Sequence, residues 1–485
     1  MNFPASEIQE SESTDRNRSA SWHWNGVERR WLISGLCAIL AFGCYLERRT
    51  ALRTAPMTDL GVFANAAWAV REGGNLYDIT DCHGWHYQYP PLLAIAFVPL
   101  ADPPRPPLPL LTPGQSRTPA NTPWGYPVEG SQFFGLHREN ARFFIITAVW
   151  YALSVLGIGF SAHALACVLE GHALREPPPV NEKPRLRWWK LRLLPLLVCV
   201  GSLGTDLSRG QVDIAMLAII SAALYLAARG YQLISGLCLA IPAAVKLFPP
   251  FLLLYPFWRR RWRMAAAVVL GVTLWLGVVP AAVFGPRHAL QLYHTWFEVL
   301  AKPALGAGND RSRALELTDT APGDNQSLLA AIHNWRYLDL PHGNRPAQFA
   351  PAGRVAVYVV GVMALATIGF VAGWRRSDPP RDLLMMAGLL IGLALVVSPI
   401  VHNYYYLLLL PLVMALLDRD WTQQPEHRGL RLLPWPLMMF LAIDLMARLP
   451  RIGLSLRDIG APVASVMVLM AAGICALTRD RLVST

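Results

Sequence analysis

Charge is what this 485-residue chain lacks: only 15% of it is charged, against 54% hydrophobic residues. Soluble domains carry about 25% charged residues, and no soluble core needs so much apolar sequence. That excludes an ordinary cytosolic enzyme and a disordered chain, and leaves a polytopic helical membrane protein. Cysteine is scarce too. Of seven, Cys37, Cys44, Cys167, Cys199, Cys238 and Cys475 lie inside apolar runs and only Cys82 in a loop, which excludes a secreted disulfide scaffold. There is no CxxC and no Cys/His set with metal-ligand spacing. No Gly-rich phosphate loop appears, so cytosolic nucleotide chemistry is disfavoured.

What is present is a series of hydrophobic runs. They fall at Trp31–Leu46, Ala141–Leu169, Leu191–Asp206, Gln211–Ala228, Leu233–Val245, Leu247–Trp258, Met264–Phe284, Val355–Gly373, Leu383–Pro399, Tyr404–Leu417, Leu432–Met446 and Ala461–Leu477, twelve expected spans. Pro90–Leu100 is apolar but too short to cross a bilayer, and reads as a juxtamembrane helix at the interface. The 43 Lys and Arg exceed the 32 Asp and Glu by 11, and they cluster between hydrophobic runs. Such basic loops are orientation signals facing anionic lipid, not a nucleic-acid footprint. With Pro90–Leu100 left out of the count, the basic loops at 175–192, 259–263, 375–376, 419–431 and 479–481 share the side of the N-terminus. Both termini are therefore expected in the cytoplasm. Arg48, Arg49 and Arg53 depart from this rule, at the start of a long outer loop. The expected organisation is a cytosolic tail, 1–28, and one membrane domain, 29–480. Two large outer loops are expected, 47–140 with a Pro-rich insertion at 102–130, and 285–354.

The unusual polar residues gather at the expected outer face. Asp59 follows the first span; Tyr89 stands before Pro90-Pro91; Asp206, Arg209 and Gln211 sit at the turn between two spans. Lys246 lies in Ala-Val-Lys-Leu-Phe-Pro-Pro between two short apolar legs, and Asn325 and Gln326 stand in the second outer loop. His402 and Tyr405 belong to Ser398-Pro-Ile-Val-His-Asn-Tyr-Tyr-Tyr406. Each has an ordinary reading. Asp59 can be a helix N-cap, His402 an interfacial ring, Arg209 a partner for Asp206, and the amides loop fasteners. A lysine flanked by apolar residues at membrane depth needs a counter-charge. Taken together, a carboxylate suits general-base work on a hydroxyl, and a lysine with an arginine at the bilayer surface suits a lipid phosphate. The combination points to group transfer from a lipid phosphate to an alcohol. A lipid-linked-sugar transporter would instead place polar groups near the midplane, and a ligase or polymerase using a diphosphate lipid would need more outer arginines.

These residues resemble the GT-C class of polytopic glycosyltransferases, and within it glycosyltransferase family 87. The resemblance rests on Thr58-Asp59-Leu60 with Gly74-Asn-Leu-Tyr77, Tyr87-Gln-Tyr-Pro-Pro-Leu92, Arg209-Gly-Gln-Val-Asp213, Gly236 to Pro249 around Lys246 with Arg260-Arg-Trp-Arg263, Asn325-Gln-Ser-Leu328, and Ser398-Pro399 with His402 and Tyr405. It departs where the family often has an aromatic after the acid (here Leu60) and Asn near Gly-Gln (here Asp213). The resemblance implies an all-α GT-C fold of about twelve transmembrane helices with extracytoplasmic juxtamembrane helices. It implies inverting transfer of a hexose, mannose first, from a polyprenyl-phosphate donor to a glycolipid or glycan acceptor, with no cofactor and no metal. By the same resemblance Asp59 is the base with His402 beside it, and Lys246 and Arg209 hold the donor phosphate. Gln211, Asn325, Gln326, Tyr89 and Tyr405 would contact substrate.

Overall fold

A computed structural model describes residues 24–53, 57–80, 85–102, 138–246, 249–305, 307, 320, 325–373, 379–423 and 433–482. Most of the Pro-rich insertion, the first part of the expected tail and Cys82 lie outside them. Among the described residues the chain is helical and forms no strand; one isolated bridge joins Thr80 to His86.

α1 (Gly26–Arg49) opens on a capping box. Asn25 accepts from the Glu28 amide while Glu28 accepts from the Asn25 amide. Then come α2 (Leu60–Glu72), the short α3 (Pro91–Ala96) and the long α4 (Arg138–Glu170). α5 (Glu182–Val198) and α6 (Val200–Arg209) form an apolar pair bent by 67° at Cys199, one broken span or a re-entrant loop, with Pro195 inside α5. α7 (Asp213–Ala228), α8 (Gln232–Val245), α9 (Leu254–Trp258), α10 (Trp262–Thr273) and α11 (Val279–Phe284) follow, with α10 running into α11 through a π-turn at Leu274–Val278. The chain continues through α12 (Pro286–Trp296), α13 (Leu328–Arg336), α14 (Pro351–Gly373), α15 (Pro380–Val397), α16 (Leu410–Gln423), α17 (Trp435–Met446), α18 (Pro450–Asp458) and α19 (Ala461–Leu482).

Among the described residues six helices are long and apolar enough to cross a membrane, seven with the bent pair, and α7, α8 and α17 are shorter apolar helices. The protein is thus a multi-pass, all-helical membrane protein. Two expected spans take another form. Leu247–Trp258 contains a 3₁₀ turn at Pro249–Leu253 and only the five-residue α9, because Pro249-Pro250 withhold two amide donors. Tyr404–Leu417 begins as the 3₁₀ segment Asn403–Leu409 before α16. Pro90–Leu100 is the expected short helix, α3 followed by a 3₁₀ turn at Val98–Leu100.

The core centres on α15, whose apolar window is 83% buried, whereas that of α1 is 11% buried and faces outward. Against α15 pack the buried residues Tyr404 to Leu410 of the next segment. Small residues set the closest approaches, as expected where lipid is no worse a solvent than leucine. A Cβ on Gly236 of α8 would meet the Met264 carbonyl oxygen at 2.5 Å and the Ala267 Cβ at 2.7 Å, both on α10. Gly236→Leu should therefore push α8 from α10 and destabilise the fold by about 1–3 kcal/mol. Gly159→Leu, facing open space on α4, should change stability by about 0.5 kcal/mol or less. Thermal unfolding of the two variants in detergent compares them directly.

Candidate active site

The site is built on the turn between α6 and α7. Gly210 ends α6 in the left-handed region at φ 65°, and a Cβ there would lie 2.8 Å from the Thr58 hydroxyl. Glycine is required on both counts. That clearance lets the segment before α2 dock on the turn. Thr58 donates its hydroxyl to the Arg209 carbonyl at 2.8 Å, and the Asp59 amide donates to the same oxygen at 2.9 Å.

Asp59 stands at the N-cap position of α2, yet its side chain makes no capping bond. Thr58 serves the helix instead, accepting from the Leu60 amide at 3.3 Å. The Asp59 carboxylate is left to face the turn. Oδ2 accepts from the Gln211 side-chain amide, and Oδ1 lies 4.0 Å from an Arg209 guanidinium nitrogen, with 31% of the side chain exposed. Gln211 is itself 2% exposed and accepts from the Tyr89 hydroxyl at 3.3 Å. Burial pushes the Tyr89 phenol well above its usual range despite the pull of Lys246, so it acts as a neutral donor.

Beyond Tyr89 the relay reaches Lys246. Its ammonium donates to Asp213 Oδ2 at 3.0 Å and Oδ1 at 3.3 Å, and lies 3.8 Å from the Tyr405 ring centroid, 5.4 Å from that of Tyr404 and 5.6 Å from that of Tyr89. Asp213 is fully buried and Lys246 nearly so, so carboxylate and aromatic faces replace the water the cation has lost. His402 joins the group through its rings: stacked on Tyr404 at 5.2 Å and edge-on to Tyr405 at 5.4 Å.

Asp59, Arg209, Gln211, Tyr89, Lys246, Tyr405 and His402 are thus brought together from five separate stretches of chain. Asn325 and Gln326 are placed differently. Asn325 Oδ1 accepts from the Ser327 and Val401 amides at 3.0 and 3.2 Å, and its Nδ2 donates to the Pro399 carbonyl at 3.0 Å. The Gln326 amide donates to the Val401 carbonyl at 2.6 Å and its carbonyl accepts from Tyr406 at 3.1 Å. Both residues fasten the loop that presents His402. Arg209 turns toward Asp59, while Asp206 is fully buried and lies within electrostatic reach of Asp213 and Lys246. Sequence reasoning missed Asp213 as the partner of Lys246, although a cation this deep called for one and Asp213 follows Gln211 by two residues. Among the described residues no three His, Cys, Asp or Glu side chains gather as a metal site.

Residues 87–399 match the profile of Glycosyltransferase family 87. The chain belongs to this family. This family 87 glycosyltransferase carries Tyr89, the Arg209–Asp213 turn, Lys246 and Asn325 inside the matched region; Asp59 precedes it, and His402 and Tyr405 follow it. The packing described above ties those outer residues to the matched part. A solved structure, ArnT from Cupriavidus metallidurans bound to undecaprenyl phosphate, aligns over 93% of this chain and 78% of its own at 14% identity. Its TM-score of 0.32 is too low to carry an argument. No curated protein matches the chain.

Removing one member of the Asp213–Lys246 pair should leave a buried charge uncompensated. Lys246→Met is expected to destabilise this glycosyltransferase by about 3–5 kcal/mol, and Lys246→Met with Asp213→Leu to recover most of that loss. Thermal unfolding of Lys246→Met, Asp213→Leu and the double variant would show whether the penalties couple; simple addition would mean that the pair does not act as one unit.

Proposed function

We propose that this membrane glycosyltransferase moves a hexose, mannose in the first instance, from a polyprenyl-phosphate donor to a hydroxyl of a glycolipid or glycan. The reaction takes place on the extracytoplasmic face of the cell membrane and inverts the sugar carbon. The observation that carries this reading is the Asp59 carboxylate: partly exposed, released from capping, and fixed by Gln211. Such a group is oriented and accessible at once, as a general base must be.

In the proposed step Asp59 takes the proton of the acceptor hydroxyl while that oxygen attacks the sugar C1. The bond from C1 to the donor phosphate oxygen breaks, and its electron pair leaves on the phosphate. Lys246 and Arg209 supply positive charge where that negative charge develops. Lys246 does so from a buried seat between Asp213 and the tyrosines, so its field acts in a low-dielectric surrounding. His402, Tyr89 and Tyr405 shape the wall on that side. The choice of a polyprenyl monophosphate and of mannose follows family resemblance. The outward orientation follows the positive-inside bias of the basic loops.

Asp59→Asn keeps the size of the side chain and a partner for Gln211, but removes the proton acceptor. Transfer of labelled mannose from polyprenyl-phosphate mannose in membranes should fall by about 10²–10⁴-fold, with the thermal midpoint unchanged. Near wild-type turnover in purified Asp59→Asn would sink the base assignment.

A further inference from the structure

The apolar helix α17 carries a single charged residue, Asp444, which is 5% exposed. A carboxylate so placed needs donors, and Asp444 finds them on α6 and on Arg448. Its Oδ2 accepts from the Ser202 amide at 3.1 Å. Its Oδ1 accepts from the Ser202 hydroxyl at 3.0 Å and from the Arg448 guanidinium at 2.7 Å. Arg448 donates in turn to the Thr205 hydroxyl. Gly201 makes room for the pair, since a Cβ there would collide with Asp444 Oδ2 and Arg448 Nε.

These contacts fall where α6 begins. The chain bends by 67° between α5 and α6, and the Cys199 side chain makes no capping bond. The Ser202 amide, in the first turn of α6, takes its acceptor from Asp444 instead, and the carboxylate faces the positive end of the helix dipole. Ser202 and Thr205 lie nearly one turn apart, and a rod held at two points keeps both its tilt and its rotation. The far end of α6 is Arg209, about 10 Å beyond Ser202 at 1.5 Å per residue. There the Arg209 carbonyl anchors Thr58 and Asp59, and Gln211 orients the carboxylate. Asp444 also lines a small cavity with Gln326, Asn403 and Tyr406. It therefore stands between the helix that carries the base turn and the loop that presents His402.

We infer that Asp444, with Arg448, is a positioning pair: it sets the direction of α6 and so holds the Arg209–Gln211 turn where Asp59 is aimed at the acceptor. Both residues lie beyond the family-matched region, 87–399. The effect on transfer rests on Asp59 as the base; the clamp itself rests on the contacts to Ser202 and Thr205.

The test uses the full chain in nanodiscs and reads mannose transfer, the thermal midpoint and hydrogen exchange of the amides at 207–213. Asp444→Leu with Arg448→Met removes both charges together, which disturbs a fold far less than removing one, yet it takes away the outside acceptor of α6. Transfer should fall about tenfold or more and exchange at 207–213 should rise, with the midpoint close to that of the unsubstituted protein. Asp444→Asn with Arg448→Met keeps an acceptor for Ser202 and should restore transfer to within about threefold. Combined with Asp59→Asn, Asp444→Leu with Arg448→Met should cost less than about twofold more, because no base is left to aim. Should the apolar pair lower the midpoint, Gly201→Ala, which displaces the carboxylate by one methyl group, is read in the same way. Unchanged transfer or unchanged exchange would overturn the inference. So would a loss by the same factor in the Asp59→Asn background, the mark of a general folding defect. Near wild-type turnover by Asp59→Asn alone would sink the base reading, and exchange at 207–213 would still decide the clamp.

Discussion

Everything proposed for this protein depends on one five-residue turn, Arg209 to Asp213. Its backbone carbonyl at Arg209 anchors Thr58 and Asp59; its Gln211 side chain orients the Asp59 carboxylate; its Asp213 side chain holds Lys246. Gly210 makes this possible by ending a helix in the left-handed region while leaving room for the Thr58 hydroxyl. A single short stretch therefore fixes both the base and the buried cation. The side chains that hold them, Gln211 and Asp213, stand two residues apart in the chain.

The electrostatics follow from that placement. Two fully buried carboxylates, Asp206 and Asp213, share the neighbourhood of one ammonium, and three tyrosine rings close around it. Ion pairs of this kind add little net stability over apolar residues of the same size, yet are costly to break. Their presence in a chain so poor in charge accords with the role proposed for Lys246 toward the donor phosphate. Asp59, by contrast, stays at the rim, where an acceptor can reach it.

Much of this was legible in the sequence because a membrane penalises unpaired charge, so a lysine between Val245 and Leu247 announces itself. The apolar runs likewise gave the helices, including the short juxtamembrane α3. The span around Pro249-Pro250 was not legible, since hydropathy weighs side chains and is blind to missing amide donors. Nor was the use of Asn325, because an asparagine suits a sugar contact and a loop fastener equally well. Only the tertiary fold brings Pro399 and Val401 to its amide. Asp59 read as a possible cap, and the nearby Thr58 took that role.

The most direct test of the central claim is the position of a bound polyprenyl monophosphate, seen by cryo-electron microscopy of the protein in nanodiscs. The account predicts phosphate density in a cavity shared by Asp59 and Lys246, on the Gln211–Tyr89 side of the aspartate. Phosphate seated at another face of the bundle would contradict it.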